Sequence, residues 1–383
     1  MKFVFAPDSM KGSMTSWEEI KILESTARKY FPGCEIVSFP MADGGEGTIE
    51  ALMQVLDGVH KEVRVHNPLN EETTACYSVL RGGTVLVEMA AASGLTLIPF
   101  AEGNAIETTY YGTGELIRHA IESGYRNFII AIGGSATNDG GMGAMAALGA
   151  RFLDGAGNLL FPAGKNLIKV DRIDVSAMMP ELADAHFTVM CDVNNPMTGP
   201  EGATFVFGPQ KGAVGSQLTL LELGMKKYVE LLRRDLGKDV EQIPGTGAAG
   251  GIGGAMLAFL NARLMSGIQV VLETIHFAEH IADADMIITG EGRVDEQSLY
   301  GKVLSGIGQV AKAQNVPVTA IVGGLGEGYE QIYDCGIDNV IPLMNQEMTL
   351  TYALGHASYL YEAAADKLFS WLKAEREGIE TES

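Results

Sequence analysis

The residues with the clearest chemical pattern form a glycine-rich loop at positions 133–143. The loop follows an apolar run at 128–132 and precedes a run of small residues at 144–149, which predicts a strand, a loop and the start of a helix. Glycine permits positive φ and close approach of a ligand to the main chain, and a helix N-terminus attracts anions. The loop therefore indicates phosphate binding, and a tightly packed turn is the alternative. Its candidate ligand contacts are Gly133, Gly134, Ser135, Thr137, Asn138, Asp139, Gly140 and Gly141.

Other loops rich in glycine and polar residues lie at 6–13, 41–48, 289–295 and 322–324, and each of them follows an apolar run. In an open α/β sheet, the loops at the carboxyl ends of the strands line the ligand crevice. Asp8, Ser9 and Lys11 cluster in the first of these loops. A lysine beside backbone N–H groups can hold a phosphate or a carboxylate, so we favour a binding role over a solvated lysine.

Two loops carry paired carboxylates, Asp43 with Glu46 and Glu291 with Asp295. Oxygen ligands of this kind suit Mg²⁺, which uses one or two carboxylates together with substrate phosphate. Asp43 and Glu291 are the candidate metal ligands. Acidic residues also stabilise helix N-termini without any ligand, and that alternative stays open for each pair.

Asp192 ends another apolar run, where a carboxylate could act as a general base or bind a metal. An Asx-turn before Pro196 is the structural alternative. The segments at 198–203 and 207–212 are rich in glycine and proline, and the second of them supplies a cation, Lys211. Together these segments favour a functional role for Asp192 and Lys211.

The elements that must position these residues alternate between strand and helix over 1–58. Three short strands with antiparallel hairpin signals interrupt this pattern, and a second mixed region begins near 150. We therefore predict an α/β fold in which a mixed α/β domain is inserted into a discontinuous, doubly wound parallel domain. The predicted boundaries are 1–58, 110–149 and 268–383 for the parallel domain, and 59–109 and 150–267 for the inserted one.

Composition excludes several classes of protein. The 383 residues carry a net charge of −21, which disfavours nucleic acid and anionic membranes as partners. The four cysteines form no CxxC pair, which argues against a disulfide framework, and of the seven histidines only His276 and His280 stand at HxxxH spacing, so no zinc site is predicted. Reduced thiols and the lack of a recognisable signal peptide or long apolar span predict a cytoplasmic protein.

Taken in order, these motifs resemble the type I bacterial glycerate kinases. The resemblance rests on the segments at 6–12, 42–48, 133–141, 191–196 and 207–212, and on 289–302 with Asp295 and Lys302. It covers nearly the whole chain. It implies Mg²⁺- and ATP-dependent phosphorylation of D-glycerate, favouring the 2-hydroxyl. It also implies a flavodoxin-like domain with an inserted α/β domain, and a role in glyoxylate and sugar-acid metabolism.

Phosphoryl transfer needs positioning and charge neutralisation more than covalent chemistry. On this basis, Asp192 is the predicted base for the glycerate hydroxyl, and Lys11 and Lys211 hold the glycerate carboxylate or the transferring phosphoryl group. The loop at 133–141 is expected to bind the phosphates of ATP. Asp43 or Glu291 is expected to hold Mg²⁺, directly or through water.

Two other functions remain open at this stage. A nucleotide-binding oxidoreductase needs an acidic residue about 20 positions after its glycine fingerprint, on the next strand, and the counterpart here, Asp154, lies in a predicted turn. A non-catalytic sensor of sugar acids or phosphate would bind ligand without turnover. The choice between the 2- and 3-hydroxyl is also open, and so is a homo-oligomeric state.

Overall fold

The computed structural model describes residues 1–42, 52–53, 55–99, 105–299, 301–345 and 347–378. The chain divides into two compact units, one formed by residues 1–55 with 267–383 and the other by residues 56–266. The strands are β1 (Lys2–Pro7), β2 (Glu35–Ser38), β3 (Val59–His66), β4 (Glu72–Val79), β5 (Thr84–Glu88), β6 (Asn127–Ala131), β7 (Arg151–Leu153), β8 (Arg172–Asp174), β9 (His186–Met190), β10 (Arg263–Met265), β11 (Met286–Val294), β12 (Val318–Leu325) and β13 (Asn339–Pro342).

Helices cover much of the remaining described chain. The α-helices are α1 (Ser16–Tyr30), α2 (Ala90–Ser93), α3 (Tyr111–Glu122), α4 (Met142–Ala147), α5 (Ala203–Phe207), α6 (Ser216–Leu236), α7 (Ala248–Leu260), α8 (Gly267–Thr274), α9 (Phe277–Ile281), α10 (Val303–Gln314), α11 (Leu350–Gly355) and α12 (Ala357–Glu377). Short 3-10 helices occur at Leu95–Leu97, Gly164–Lys169, Pro180–Asp184, Pro209–Lys211, Glu296–Leu299 and Tyr329–Cys335. None of the helices described here is both long and apolar enough to span a membrane.

The first unit contains a five-stranded parallel sheet in the order β13-β12-β11-β1-β2. Phe3 and Phe5 point to one face of β1 and pack with Phe369 of α12, and the ring centroids of Phe3 and Phe369 are 5.3 Å apart. Val4 points to the opposite face and is also fully buried. Both faces of the sheet are therefore covered at this strand, which explains its continuous apolar sequence.

Helix α1 differs in one detail from a simple interpretation of its sequence. Ser16 with Glu19 has the spacing of a capping box, but the structure forms the box one residue earlier, between Thr15 and Glu18. Glu19 is instead fully buried, and its Oε1 accepts a hydrogen bond from the N–H of Met10 at 3.2 Å. The helical period explains this, because Glu19 shares the inward face with Ile20 and Leu23.

The second unit contains a mixed six-stranded sheet in the order β10-β9-β6-β5-β4-β3. Strands β5, β6, β9 and β10 are parallel, and β3, β4 and β5 form the antiparallel meander that the hairpin signals predict. Its core includes Phe128 and Phe187, which stack with ring centroids 4.8 Å apart. A two-stranded sheet, β7 with β8, completes this mixed α/β unit.

The predicted assignment of residues 110–149 to the parallel domain differs from the structure, which places them in the second unit. Strand β6 pairs in parallel with β5 on one side and with β9 on the other. A strand followed by a helix has the same local pattern in either sheet, so the pairing partners alone decide which unit it joins. The outer divisions at 55/56 and 266/267 fall close to the predicted boundaries.

Candidate active site

In the second unit, the loop at 133–141 leaves the carboxyl end of β6 and leads into α4. Asp139 is fully buried in this loop. Its carboxylate accepts hydrogen bonds from the N–H groups of Gly141 at 2.8 Å, Gly143 at 3.0 Å and Tyr110 at 3.0 Å. An internal carboxylate therefore occupies the position at the start of α4 where a phosphate was expected to bind.

Burial raises the pKa of Asp139 to about 6, although the hydrogen bonds from Tyr110, Gly143 and Gly141 favour the ionised form. Two further predicted contacts of the loop, Thr137 and Asn138, are also fully buried. Gly140 and Gly141 are buried as well, and a Cβ on Gly140 would lie 2.9 Å from the ring of Tyr228. Close packing therefore explains the glycines at the end of this loop.

The start of the loop is different, because Gly133 and Gly134 are exposed. Gly134 adopts a φ of +74°, which a side chain rarely tolerates. A Cβ on Gly133 would meet no described atom within 4 Å. The accessible part of the predicted phosphate loop is thus its first two residues, with Ser135 just beneath them at 8% exposure.

Lys211 contacts this loop from the short helix Pro209–Lys211 and is only 1% exposed. Its Nζ donates hydrogen bonds to the Oγ of Ser135 at 3.0 Å and to the carbonyl oxygen of Thr137 at 2.6 Å. Burial lowers the pKa of this ammonium group to about 7, and the negative charge of Asp139 opposes that shift. The structure therefore places Lys211 against Ser135, as part of one polar cluster.

Two members of this cluster were not predicted from the sequence, Tyr110 and Gly250. The hydroxyl of Tyr110 hydrogen-bonds to the Oγ of Ser135 and donates to the carbonyl of Ala249. Gly250 has a φ of +71°, and a Cβ there would lie 3.0 Å from the Nζ of Lys211. The glycine run at 245–254 signalled a special backbone, whereas nothing local to Tyr110 indicated its role.

Asp192 lies just beyond β9, on an exposed loop of the same unit. Strands β6 and β9 are parallel neighbours, with Ala131 opposite Met190 at their carboxyl ends. The loop at 133–141 and the loop that carries Asp192 therefore leave the same edge of one sheet. The backbone near Asp192 is fixed by neighbouring residues, since the side-chain amide of Asn195 donates to the carbonyl of Glu201 at 2.8 Å.

The first unit holds the other predicted residues. Asp8 follows β1, and Glu291 lies in β11, its parallel neighbour. Both line a cavity of about 410 Å³, which Ser9, Lys11 and Lys302 also line. Asp8 and Glu291 are buried, and Lys11 is exposed. The structure therefore brings Asp8, Ser9, Lys11 and Glu291 together around one cavity within this unit.

Burial raises the pKa of Glu291 to about 7, and the neighbouring Asp8 and Asp295 add to this effect, whereas the hydroxyl of Ser298 and the charge of Lys302 oppose it. Burial also raises the pKa of Glu19 to about 9. These two groups and Asp8 form a buried acidic region beneath the cavity. Over the described part of the chain, no three His, Cys, Asp or Glu side chains converge as a metal site. Asp43, the other predicted metal ligand, lies outside the described residues.

A model described as "Glycerate kinase family" matches residues 3–373. The chain belongs to the glycerate kinase family. The resemblance inferred from the motifs is thereby confirmed, and so is the activity of the family, the phosphorylation of glycerate by a kinase.

Individual relatives agree with this assignment. The chain is 44% identical to a glycerate 2-kinase of Escherichia coli, over 92% of this chain and 93% of that protein. It is 41% identical to a glycerate kinase of Halalkalibacterium halodurans, over 97% of this chain and 99% of the relative. A crystal structure of a Salmonella typhimurium protein assigned as glycerate kinase 2 superposes with a TM-score of 0.86 at 42% identity, covering 98% of this chain and 99% of the other.

Proposed function

We propose that this glycerate kinase uses Mg²⁺ and ATP to phosphorylate D-glycerate at its 2-hydroxyl. The observation that carries the proposal is the family match over residues 3–373. The name of the Escherichia coli relative, a glycerate 2-kinase, supports the 2-position. A cytoplasmic role in glyoxylate and sugar-acid metabolism is part of the same proposal.

Asp192 is the proposed general base. A kinase must accept the proton of the attacking hydroxyl, and an accessible carboxylate at a strand end can reach a bound substrate. Asp192 is such a carboxylate, because it is exposed and follows the end of β9. The hydroxyl oxygen attacks the γ-phosphorus, the bond to the leaving ADP breaks, and the proton passes to the Asp192 carboxylate.

Lys211 and the exposed start of the loop are proposed to bind anionic groups. The Lys211 ammonium has two short contacts, to Ser135 and Thr137, and an ammonium group offers three donors in all. Its third N–H is the proposed contact to a substrate oxygen. Gly133 and Gly134 are proposed to approach the phosphates of ATP, whereas Asp139 and the residues around it hold the loop in shape.

In the first unit, Lys11 is proposed to hold the glycerate carboxylate or the transferring phosphoryl group. The exposed ammonium of Lys11 lines the same cavity as Asp8 and Ser9. We also propose that this unit is flavodoxin-like. Numbered within the unit, its five strands run in the order 2-1-3-4-5, which is the order of that doubly wound sheet.

Glu291 fits the role of a magnesium ligand. Burial raises the pKa of Glu291, and the neighbouring carboxylates of Asp8 and Asp295 raise it further. A divalent cation bound here would offset the repulsion among these carboxylates. Two carboxylates with substrate phosphate are a typical magnesium environment. When bound, Mg²⁺ would neutralise charge on the phosphates of ATP. Asp8 and Glu291 are the described residues that would hold it, and Asp43 stays a proposal from the sequence.

The proposal is tested by mixing the purified protein with ATP, Mg²⁺ and D-glycerate in an assay coupled to ADP release. ADP should appear only when all three are present. Enolase acts directly on the 2-phosphate, so immediate coupling to enolase should report product formation. ADP release without enolase coupling would move the reaction to the 3-hydroxyl, and binding without ADP release would indicate a sensor instead.

A further inference from the structure

Two chemically different sets of residues line the cavity of the first unit. Asp8, Ser9, Lys11, Glu291 and Lys302 form a charged set at the carboxyl ends of β1 and β11. An apolar wall comes from the end of β13 and from helices α11 and α12; it includes Leu343, Met344, Leu350, Ala353, Leu354 and Leu360. A fitting ligand therefore has one charged part and one apolar part.

We propose that this cavity binds the base and ribose of the nucleotide, with the base against the apolar wall. This inference rests on the proposed kinase function and adds a location for the nucleoside. It concerns the first unit alone. The apolar wall distinguishes the two substrates, because glycerate carries a hydroxyl or a carboxylate on every carbon and gains little from contact with leucines. A purine presents a large, flat, weakly polar surface, which gains much more from contact with leucine side chains.

The position of the cavity in the sheet supports this assignment. Strand β1 has β2 on one side and β11 on the other, so the chain moves away from β1 in opposite directions in its two halves. In open α/β sheets, such a switch point opens a crevice at the carboxyl ends of the strands, where nucleotides bind. Asp8 and Glu291 lie at this switch point.

The exposure of the apolar wall also supports a nucleoside site. Leu350 is 63% exposed and Leu354 is 43% exposed, although both line the cavity. A base packed against them would remove this apolar surface from water, which is favourable. A cavity of about 410 Å³ is also within the range of small-molecule sites, and it exceeds what a three-carbon acid needs.

The first experiment needs no variant. Adenosine lacks phosphates, so it can occupy only a site for base and ribose. We expect adenosine to inhibit the reaction competitively with ATP and not with D-glycerate. Competition with D-glycerate would overturn the proposal, because it would place the acid, and not the nucleoside, against the apolar wall of the cavity.

The second experiment places a charge on the apolar wall. Leu350→Asp and Leu354→Asp should weaken ATP binding by about tenfold or more, because a carboxylate would be desolvated against the base. Leu223→Asp is the matched control, since Leu223 is 52% exposed on α6 in the other unit. ATP affinity is measured by calorimetry without glycerate, the two KM values by kinetics, and folding by thermal melts.

The expected result is a raised Kd and KM for ATP in both wall variants, with KM for glycerate and the melting temperature unchanged. Unchanged ATP affinity in the folded variants would overturn the nucleoside site. Failure of the proposed function looks different, because wild-type protein would then bind ATP without releasing ADP. In that case, loss of ATP binding in the two wall variants would still support the nucleoside site. Wild-type protein that binds no ATP would overturn the nucleoside site.

Discussion

The Nζ atom of Lys211 lies 3.0 Å from the Oγ atom of Ser135, although 76 positions separate the two residues in the chain. The same ammonium group contacts the carbonyl oxygen of Thr137, so one buried cation joins the 3-10 helix Pro209–Lys211 to the loop after β6. Lysine is almost never fully buried without partners. This contact therefore makes the loop and Lys211 a single structural and chemical feature.

Replacing this cation should impair activity strongly. Lys211→Met retains the length of the side chain but removes the charge, and we expect kcat/KM to fall by about 10² or more, as for other preorganised contacts to developing charge. Lys226→Met is the control, because Lys226 is 53% exposed on α6. Steady-state kinetics with both substrates measure the effect. Equal activity of the two variants would leave Lys211 with a purely structural role.

The lowered pKa of Lys211 also predicts a pH dependence. With a pKa of about 7, the ammonium is present below pH 7 and lost above it. Because kcat/KM reports the free enzyme, kcat/KM for an anion held by Lys211 should decline as pH rises through 7. The profile is measured from pH 6 to pH 9. A wild-type profile that stays flat over this interval contradicts the assignment.

Asp192→Asn should lower kcat by about 10² to 10⁴-fold, the usual cost of removing a general base. Binding of both substrates should change little, because the amide has nearly the shape of the carboxylate. Single-turnover kinetics separate the chemical step from binding. Asp184→Asn, at another exposed carboxylate of the second unit, should behave as wild type. If Asp192→Asn keeps a normal kcat, Asp192 serves only the turn before Pro196.

Glu19 should make the first unit less stable as pH rises. Its folded pKa is about 9 against an ordinary value of 4.5. Between these values, the folded protein retains a proton that the unfolded chain has released, so the free energy of unfolding falls with rising pH. Glu19→Gln cannot ionise and should flatten the dependence, raising the melting temperature at pH 8 by a few degrees relative to wild type.

This prediction is measured by calorimetric melts from pH 5 to pH 9. Glu230→Gln, at an exposed position of α6, should leave the slope of the wild type unchanged. A Glu19→Gln protein with the same slope as wild type would mean that Glu19 is ionised in the folded state.

Gly134→Val tests the exposed start of the glycine loop. Its backbone has φ of +74°, and a Cβ would lie 3.3 Å from the Cβ of Ala90, so some strain is expected. Gly82→Val is a matched control, because Gly82 has a φ of +102° and open space in the hairpin between β4 and β5. ATP affinity should fall in Gly134→Val only, with glycerate binding preserved. Equal ATP affinities in two folded variants would place the phosphates elsewhere.

The local elements and the chemical class follow from the order of the residues alone. Continuous apolar runs such as 3–5 and 128–132 predicted buried strands, and the ordered motifs identified the family. These features depend on neighbours within a few positions, because the period of apolar residues and the preferences of glycine act locally. Asp8, Ser9, Lys11 and Glu291 could be placed near one another for the same reason, since parallel strands end at one edge of a sheet.

Contacts in the folded chain are needed to know which strands share a sheet and which polar groups are buried. Because β6 pairs with β5 and β9, residues 110–149 belong to the second unit and not to the predicted parallel domain. In the folded protein, Asp139, a predicted phosphate contact, is buried and accepts a hydrogen bond from the N–H of Gly141. The hydroxyl of Tyr110 hydrogen-bonds to Ser135, which the sequence did not indicate. Such contacts join residues far apart in sequence, and the desolvation that shifts the pKa of Glu19 or Lys211 exists only after the core has formed around them.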